Sequence, residues 1–163
     1  NELALLNRKF KNLHYKKVEK LDLHNPKISE HSAIIAKKNK IRKVLKKYQI
    51  DFSKKYKACC IEGRDISTKI LPGSDIKFFF KCSLDIAATR RYKELKKRNS
   101  KIKFKDVKKA LRIRNILDTK RRYSPLLKHR NSVEIDTGKL SKSAMLTKMS
   151  LYVDKVLKQK YEN

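Results

Sequence analysis

Short apolar runs alternate along this chain with longer stretches in which apolar residues return every three or four positions. The runs are Ala58-Cys59-Cys60-Ile61, Ile76-Lys77-Phe78-Phe79-Phe80 and Val133-Glu134-Ile135, each with the length and apolar content of a strand. Upstream, Ile34, Ile41, Leu45 and Tyr48 recur at helical spacing, which predicts a helix from Ser29 to Tyr48 with Ser29 as its N-cap. A second helix is predicted from Ser83 to about Lys97, capped by Ser83, with Asp85 in the first turn where the helix dipole favours negative charge. A third runs from about Lys105 to Lys120, carrying Val107, Ala110, Leu111 and Leu117 on one flank before Pro125 blocks continuation. The last begins near Ser141 and aligns Met145, Met149, Tyr152 and Val156, a stripe that reads as core packing. Strands separated by helices predict βαβ units around a parallel sheet.

Between the second and third helices, Lys96-Lys97-Arg98-Asn99-Ser100-Lys101 is almost wholly polar and reads as an exposed connection. The stretch from Asn1 to about Pro26 holds a short helical pattern and a polar segment without a clear assignment.

Composition narrows the partners. With 163 residues and 39% hydrophobic content the chain has enough apolar material for one modest core. Its 45 Lys and Arg against 16 Asp and Glu give a formal charge of +29, which points to anionic partners. Lysine is spread along nearly every segment, as on a solvated surface, instead of gathering into an aromatic-laced stripe. Cys59, Cys60 and Cys82 form neither a C-x-x-C pair nor a disulfide framework, and buried free thiols in a reducing compartment are the expectation. No apolar stretch approaches the roughly eighteen residues of a membrane span, and no secretory signal opens the chain. The four histidines lack metal-ligand spacing, and no nucleophile stands beside a recognisable base, so hydrolase and metalloenzyme readings fall away.

Two constellations can carry chemistry. Ile61-Glu62-Gly63-Arg64-Asp65-Ile66-Ser67-Thr68 follows an apolar run, and in an open α/β sheet ligands bind beyond the carboxyl ends of strands; an ordinary polar turn would read the same way. Arg114, Asp118 and Arg121 are spaced i, i+4, i+7, so on a helix they share a face. Two guanidinium forks flanking a carboxylate can hold an anion, and the competing reading is a surface ion-pair ladder. Arg42 means little alone.

Taken together these segments resemble the bacterial cytidylate kinase family. Its G-R-D-[IM]-G-T signature appears as Gly63-Arg64-Asp65-Ile66-Ser67-Thr68, and Asp75 through Phe80 followed by Arg90-Arg91-Tyr92-Lys93-Glu94-Leu95 is similar to its V-K-F-F-L…R-R-Y-x-x-L. Arg114, Asp118, Arg121, Pro125 and Leu126 match its R-x-x-x-D-x-x-R-x-x-x-P-L run; Ile135-Asp136-Thr137 fits L-D-[ST], and Ile41-Arg42…Gln49…Phe52 is similar to V-R…Q-R-x-F. The match extends from about Leu23 to Leu157.

The resemblance implies a P-loop NTPase-like α/β fold of the nucleoside monophosphate kinase type. Residues 29–163 would form the kinase core, with a short lid at about 93–104, and residues 1–28 a remnant of the monophosphate-binding insertion. It implies transfer of the γ-phosphoryl group of ATP to CMP or dCMP, with Mg²⁺, by a cytoplasmic monomer. Arg42 and Asp65 would recognise cytosine, Arg114 and Asp118 would hold the sugar, and Arg121 would grip the transferring phosphate, with Arg114 and Arg121 as the catalytic pair. Arg64, Arg90 and Arg91 would neutralise phosphate charge, and Glu62 would help hold Mg²⁺ through water. Two departures bear on base specificity: Ser67 stands where the family has Gly, and Ala33 where it has a base-contacting Ser. Ile116 and Leu117 are apolar where it is charged.

Phosphoryl transfer of this kind needs a G-x-x-x-x-G-K-[ST] loop around the ATP phosphates, and with only Gly63, Gly73 and Gly138 these residues contain none. The first strand and that loop are therefore expected upstream of Asn1, whose not being Met implies a longer product. This chain alone is expected to be inactive. The alternative from another class is a basic module that binds nucleic acid through charge.

Overall fold

The computed structural model describes residues 4, 5, 8, 21, 23, 26–56, 58–98 and 100–161. From residue 26 to 161 the elements are α1 (Pro26–Ile35), α2 (Asn39–Lys55), β1 (Phe78–Lys81), α3 (Leu84–Lys96), α4 (Phe104–Lys120), β2 (Val133–Asp136) and α5 (Lys142–Tyr161). A single π turn, Ile66–Ile70, lies between α2 and β1.

The helix predicted from Ser29 to Tyr48 is two helices. It begins at Pro26, whose fixed φ suits a first helical turn, so Ser29 lies inside α1 and is not its cap. It breaks at Ala36-Lys37-Lys38, where Lys38 turns extended, with φ −76° and ψ 111°. Arg42, in the first turn of α2, donates from Nη1 to the Ala36 carbonyl at 3.4 Å. A cation is thereby set at the carboxyl end of α1, the side the helix dipole favours.

β1 and β2 pair in parallel, with Phe78 opposite Val133 and Lys81 opposite Asp136. Phe78, Phe80, Val133 and Ile135 share one face, and Ile135 is fully buried there. The run 58–61 is not a strand: it pairs with nothing among the described residues, and Cys59 and Cys60 are exposed, as is Cys82. An apolar run becomes a strand only where it joins a neighbouring ladder, and among the described residues 58–61 joins neither edge of the two-stranded sheet.

α3 begins as predicted, with the Ser83 hydroxyl accepting from the Ile86 amide at 3.2 Å. Ala88, Leu95 and Val107 are buried, and Tyr92 meets Phe104 edge-on at 5.8 Å across the α3–α4 pair. Lys108 on α4 pairs with Asp85 at the start of α3. The described residues of the connection between these helices are turn and coil, as its polarity predicts. Ser141 caps α5, accepting from the Ala144 amide at 3.1 Å. On α5, Met145, Met149 and Val156 are half-buried, while Tyr152 is exposed but still meets Phe78 edge-on at 6.3 Å. Among the described residues no helix is long and apolar enough to cross a membrane.

Candidate functional site

The site is assembled where the π turn, the start of α2 and the end of α4 converge. Asp65 precedes the π turn, and its carbonyl accepts from the amides of Lys69 at 2.9 Å, Thr68 at 3.3 Å and Ile70 at 3.3 Å. Those bonds fix the backbone from which its carboxylate projects. Gly63 allows a close approach: a Cβ there would lie 2.7 Å from Ile66 Cγ1, so the Ile66 side chain would have to shift.

The Asp65 carboxylate is buried and shared. Its Oδ2 accepts from Arg42 Nη2, and its Oδ1 lies 3.5 Å from Arg121 Nη2. Asp118, in the last turn of α4, is equally buried. Its Oδ1 lies 3.2 Å from Arg121 Nη1, and its Oδ2 faces Arg64 Nε at 3.2 Å and Arg114 Nε at 3.8 Å. Neither of these last two is aligned as a hydrogen bond, so Oδ2 is a buried acceptor without a donor. Such an atom is costly to leave unmet.

Arg121 therefore bridges both carboxylates while its own side chain is only 3% exposed. Burial, reinforced by the neighbouring Arg42, pushes its guanidinium below the ordinary arginine range, against the pull of Asp65 and Asp118. Arg114 moves the same way, through burial first and the adjacent Arg64 and Arg91 next. Both remain cations at any physiological pH. Around Asp65 and Asp118 stand Arg42, Arg64, Arg114 and Arg121, with Arg91 close enough to act on Arg114 while paired to Glu94 at 2.8 Å. Positive charge exceeds negative, so the cluster is receptive to an anion.

Arg42, Arg64, Asp65, Arg114, Asp118 and Arg121 are thus gathered in one place, with Arg91 at its border. Arg90 is not with them. It donates to the Thr137 carbonyl at 2.6 Å and to its hydroxyl at 3.4 Å, tying α3 to the end of β2. Glu62 is exposed, and no group of three or more acidic, histidine or cysteine side chains that could hold a metal occurs among the described residues. Mg²⁺ usually takes one or two carboxylates together with substrate phosphates and waters, and Glu62 stands here as a single exposed carboxylate. Sequence reasoning missed the Ala36 carbonyl that holds Arg42 and the Ser124 carbonyl that receives Arg121 Nε. Backbone partners leave no residue-type signal; only Ser124-Pro125, a turn dipeptide, marked the second place.

Fold and site define an α/β protein in which arginines from separate segments converge on two buried carboxylates to make an anion-receptive cluster. Comparison with known proteins is more specific. The family model described as cytidylate kinase matches residues 3–155. The cytidylate kinase of Clostridium tetani (strain Massachusetts / E88) is 31% identical over 140 residues, covering 85% of this chain and 62% of its own length. That of Clostridium botulinum (strain Hall) is 32% identical over 134 residues, and that of Rickettsia canadensis (strain McKiel) 33% over 133; each match covers 82% of this chain and 61% of the relative. The chain belongs to the cytidylate kinase family, and with it to the P-loop NTPase fold class. It spans about three fifths of the length of these curated relatives.

Proposed function

We propose that this chain forms the nucleoside monophosphate side of a cytidylate kinase, which transfers the γ-phosphoryl group of ATP to CMP or dCMP. The observation that carries the reading is Arg121, buried between Asp65 and Asp118 with two further arginines facing the unmet Asp118 Oδ2. Asp65 accepts from the exocyclic amine of cytosine, and Arg42 donates to O2 and N3. Asp118 takes a sugar hydroxyl on its unmet Oδ2, which is buried and is uncovered on binding, with Arg114 beside it. Arg121 grips the phosphate, helped by Arg64 and Arg91; Arg90 donates to Thr137 and lies outside this cluster. Stabilising charge on a transferring phosphoryl group by fixed cations is the main demand of this chemistry.

The γ-phosphate donor, ATP with its Mg²⁺, needs a glycine-rich cradle that these residues do not contain. The intact enzyme works as a monomer in the cytoplasm, residues 29–163 forming its core and the connection at 93–104 its lid over the nucleotide. A coupled assay of this chain alone with CMP and ATP is expected to show no turnover; a rate within about 1–100 s⁻¹, the range of protein kinases, would contradict that.

Charge favours a second reading, a nucleic-acid-binding module, because a formal +29 attracts any polyanion. Thermal unfolding separates the two. CMP is expected to raise the midpoint with a saturable concentration dependence. No shift with CMP, together with salt-sensitive binding to RNA of arbitrary sequence, would favour the second reading.

A further inference from the structure

Among the described residues Ser124 is the one non-glycine with positive φ, at 53°. A left-handed residue after a helix is usually its terminator, but α4 has already ended in Arg121, which is extended with φ −66° and ψ 140°. The conformation of Ser124 needs another explanation. It sits inside a loop whose far end, the Leu126 amide, donates to the Asp118 carbonyl at 2.8 Å, one of the carbonyls left open at the end of α4. Within that closed loop the Ser124 carbonyl turns inward and accepts from Arg121 Nε.

This contact completes the assignment of the Arg121 guanidinium. Of its five N–H groups, Nε goes to Ser124, one on Nη1 to Asp118 and one on Nη2 to Asp65. The three acceptors lie on three sides of a planar group, so they set its rotation as well as its position. Two further N–H groups have no acceptor assigned, on a side chain that is 3% exposed, so an anion reaches them only when the cluster opens to admit it. A serine in the left-handed region, followed immediately by Pro125, is strained locally, and strain of this kind persists only where the surrounding contacts hold it.

We propose that Ser124 is a positioning residue: its left-handed backbone aims a carbonyl at Arg121 Nε and so holds the guanidinium in the plane that presents its free N–H groups to a phosphate. The identity of that phosphate rests on the CMP reading above; the latch itself does not.

The test compares Ser124→Gly and Ser124→Asn, which accept positive φ, with Ser124→Ala and Ser124→Val, which resist it increasingly. Two quantities are measured on the full chain: solvent exchange of the Arg121 Nε–H by nitrogen-15 NMR, and the affinities of CMP and cytidine. The Gly and Asn variants are expected to keep wild-type exchange and a CMP affinity within about threefold of wild type. The Val variant is expected to exchange about tenfold faster and to bind CMP about tenfold more weakly, close to 1.4 kcal/mol, with cytidine affinity unchanged. Ala falls between, and serves if the Val variant does not fold. Wild-type exchange at Arg121 in both Ala and Val would overturn the proposal, as would equal losses for CMP and cytidine. If wild-type chain binds no CMP, the nucleotide reading fails while the exchange series still decides the latch.

Discussion

Asp118→Ala is expected to destabilise the chain by about 3–5 kcal/mol, more than an ordinary substitution at a helix end, and to abolish CMP binding. Asp118 is buried, and three arginines converge on it from the segment before the π turn, from its own helix and from the residue that follows that helix. Its removal leaves Arg121, already shielded from water and already pressed by Arg42, with Asp65 as its remaining carboxylate. Truncating one partner of a buried charged set costs the desolvation of what is left behind, not merely the lost contact. Denaturant unfolding checks this, with the midpoint falling and the slope unchanged. A loss below about 1 kcal/mol would mean that the set behaves as a surface ladder of exposed ion pairs.

Asp65→Asn is expected to lower the preference for CMP over UMP by about a hundredfold or more. An ionised carboxylate offers only acceptors, which suits the cytosine amine and repels the O4 of uracil; an asparagine amide offers a donor to O4 as readily as an acceptor to the amine. The substitution also weakens the grip of Arg42 and Arg121: the Arg121 part falls on both nucleotides and cancels in the ratio of their affinities, while the Arg42 part adds to the lost preference, because N3 accepts in cytosine and carries a hydrogen in uracil. Calorimetric titration with each nucleotide measures the ratio. An unchanged ratio would show that Asp65 is a structural partner for arginines and does not read the base.

How much of this was legible beforehand depends on where each residue's partner comes from. α3, α4 and α5 carry their determinants within a turn or two, Ser83 and Ser141 as caps and regular apolar spacing between, so periodicity finds them. The break between α1 and α2 was hidden because the apolar spacing of Ile34 and Ile41 runs across it undisturbed, while three lysines and an asparagine at 37–40 end one helix and start another. The run at 58–61 has the composition of a buried strand, yet a strand is a relation between two segments and its composition says nothing about the neighbour. For the same reason Cys59 and Cys60 were expected buried and are exposed.

The carboxylate and arginine positions were legible at the level of type. Helical spacing put Arg114, Asp118 and Arg121 on one face, although Arg121 lies just past the end of α4; the place of Asp65 after an apolar run marked it, and the resemblance gave Asp65 and Arg42 their roles. Nothing in one dimension tells which adjacent arginine turns inward: Arg91 lies beside the cluster, while Arg90 is spent on Thr137. Nor does it reveal that Arg64 faces Asp118, or that a main-chain carbonyl fixes Arg121.

The most direct test of the central claim is the crystal structure of the chain with CMP. The account predicts the phosphate against Arg121 with Arg64 or Arg91, a sugar hydroxyl on Asp118 Oδ2 and the cytosine amine on Asp65. CMP bound elsewhere, with the Arg42–Asp65 and Arg121–Asp118 pairs undisturbed and nothing at Asp118 Oδ2, would contradict it.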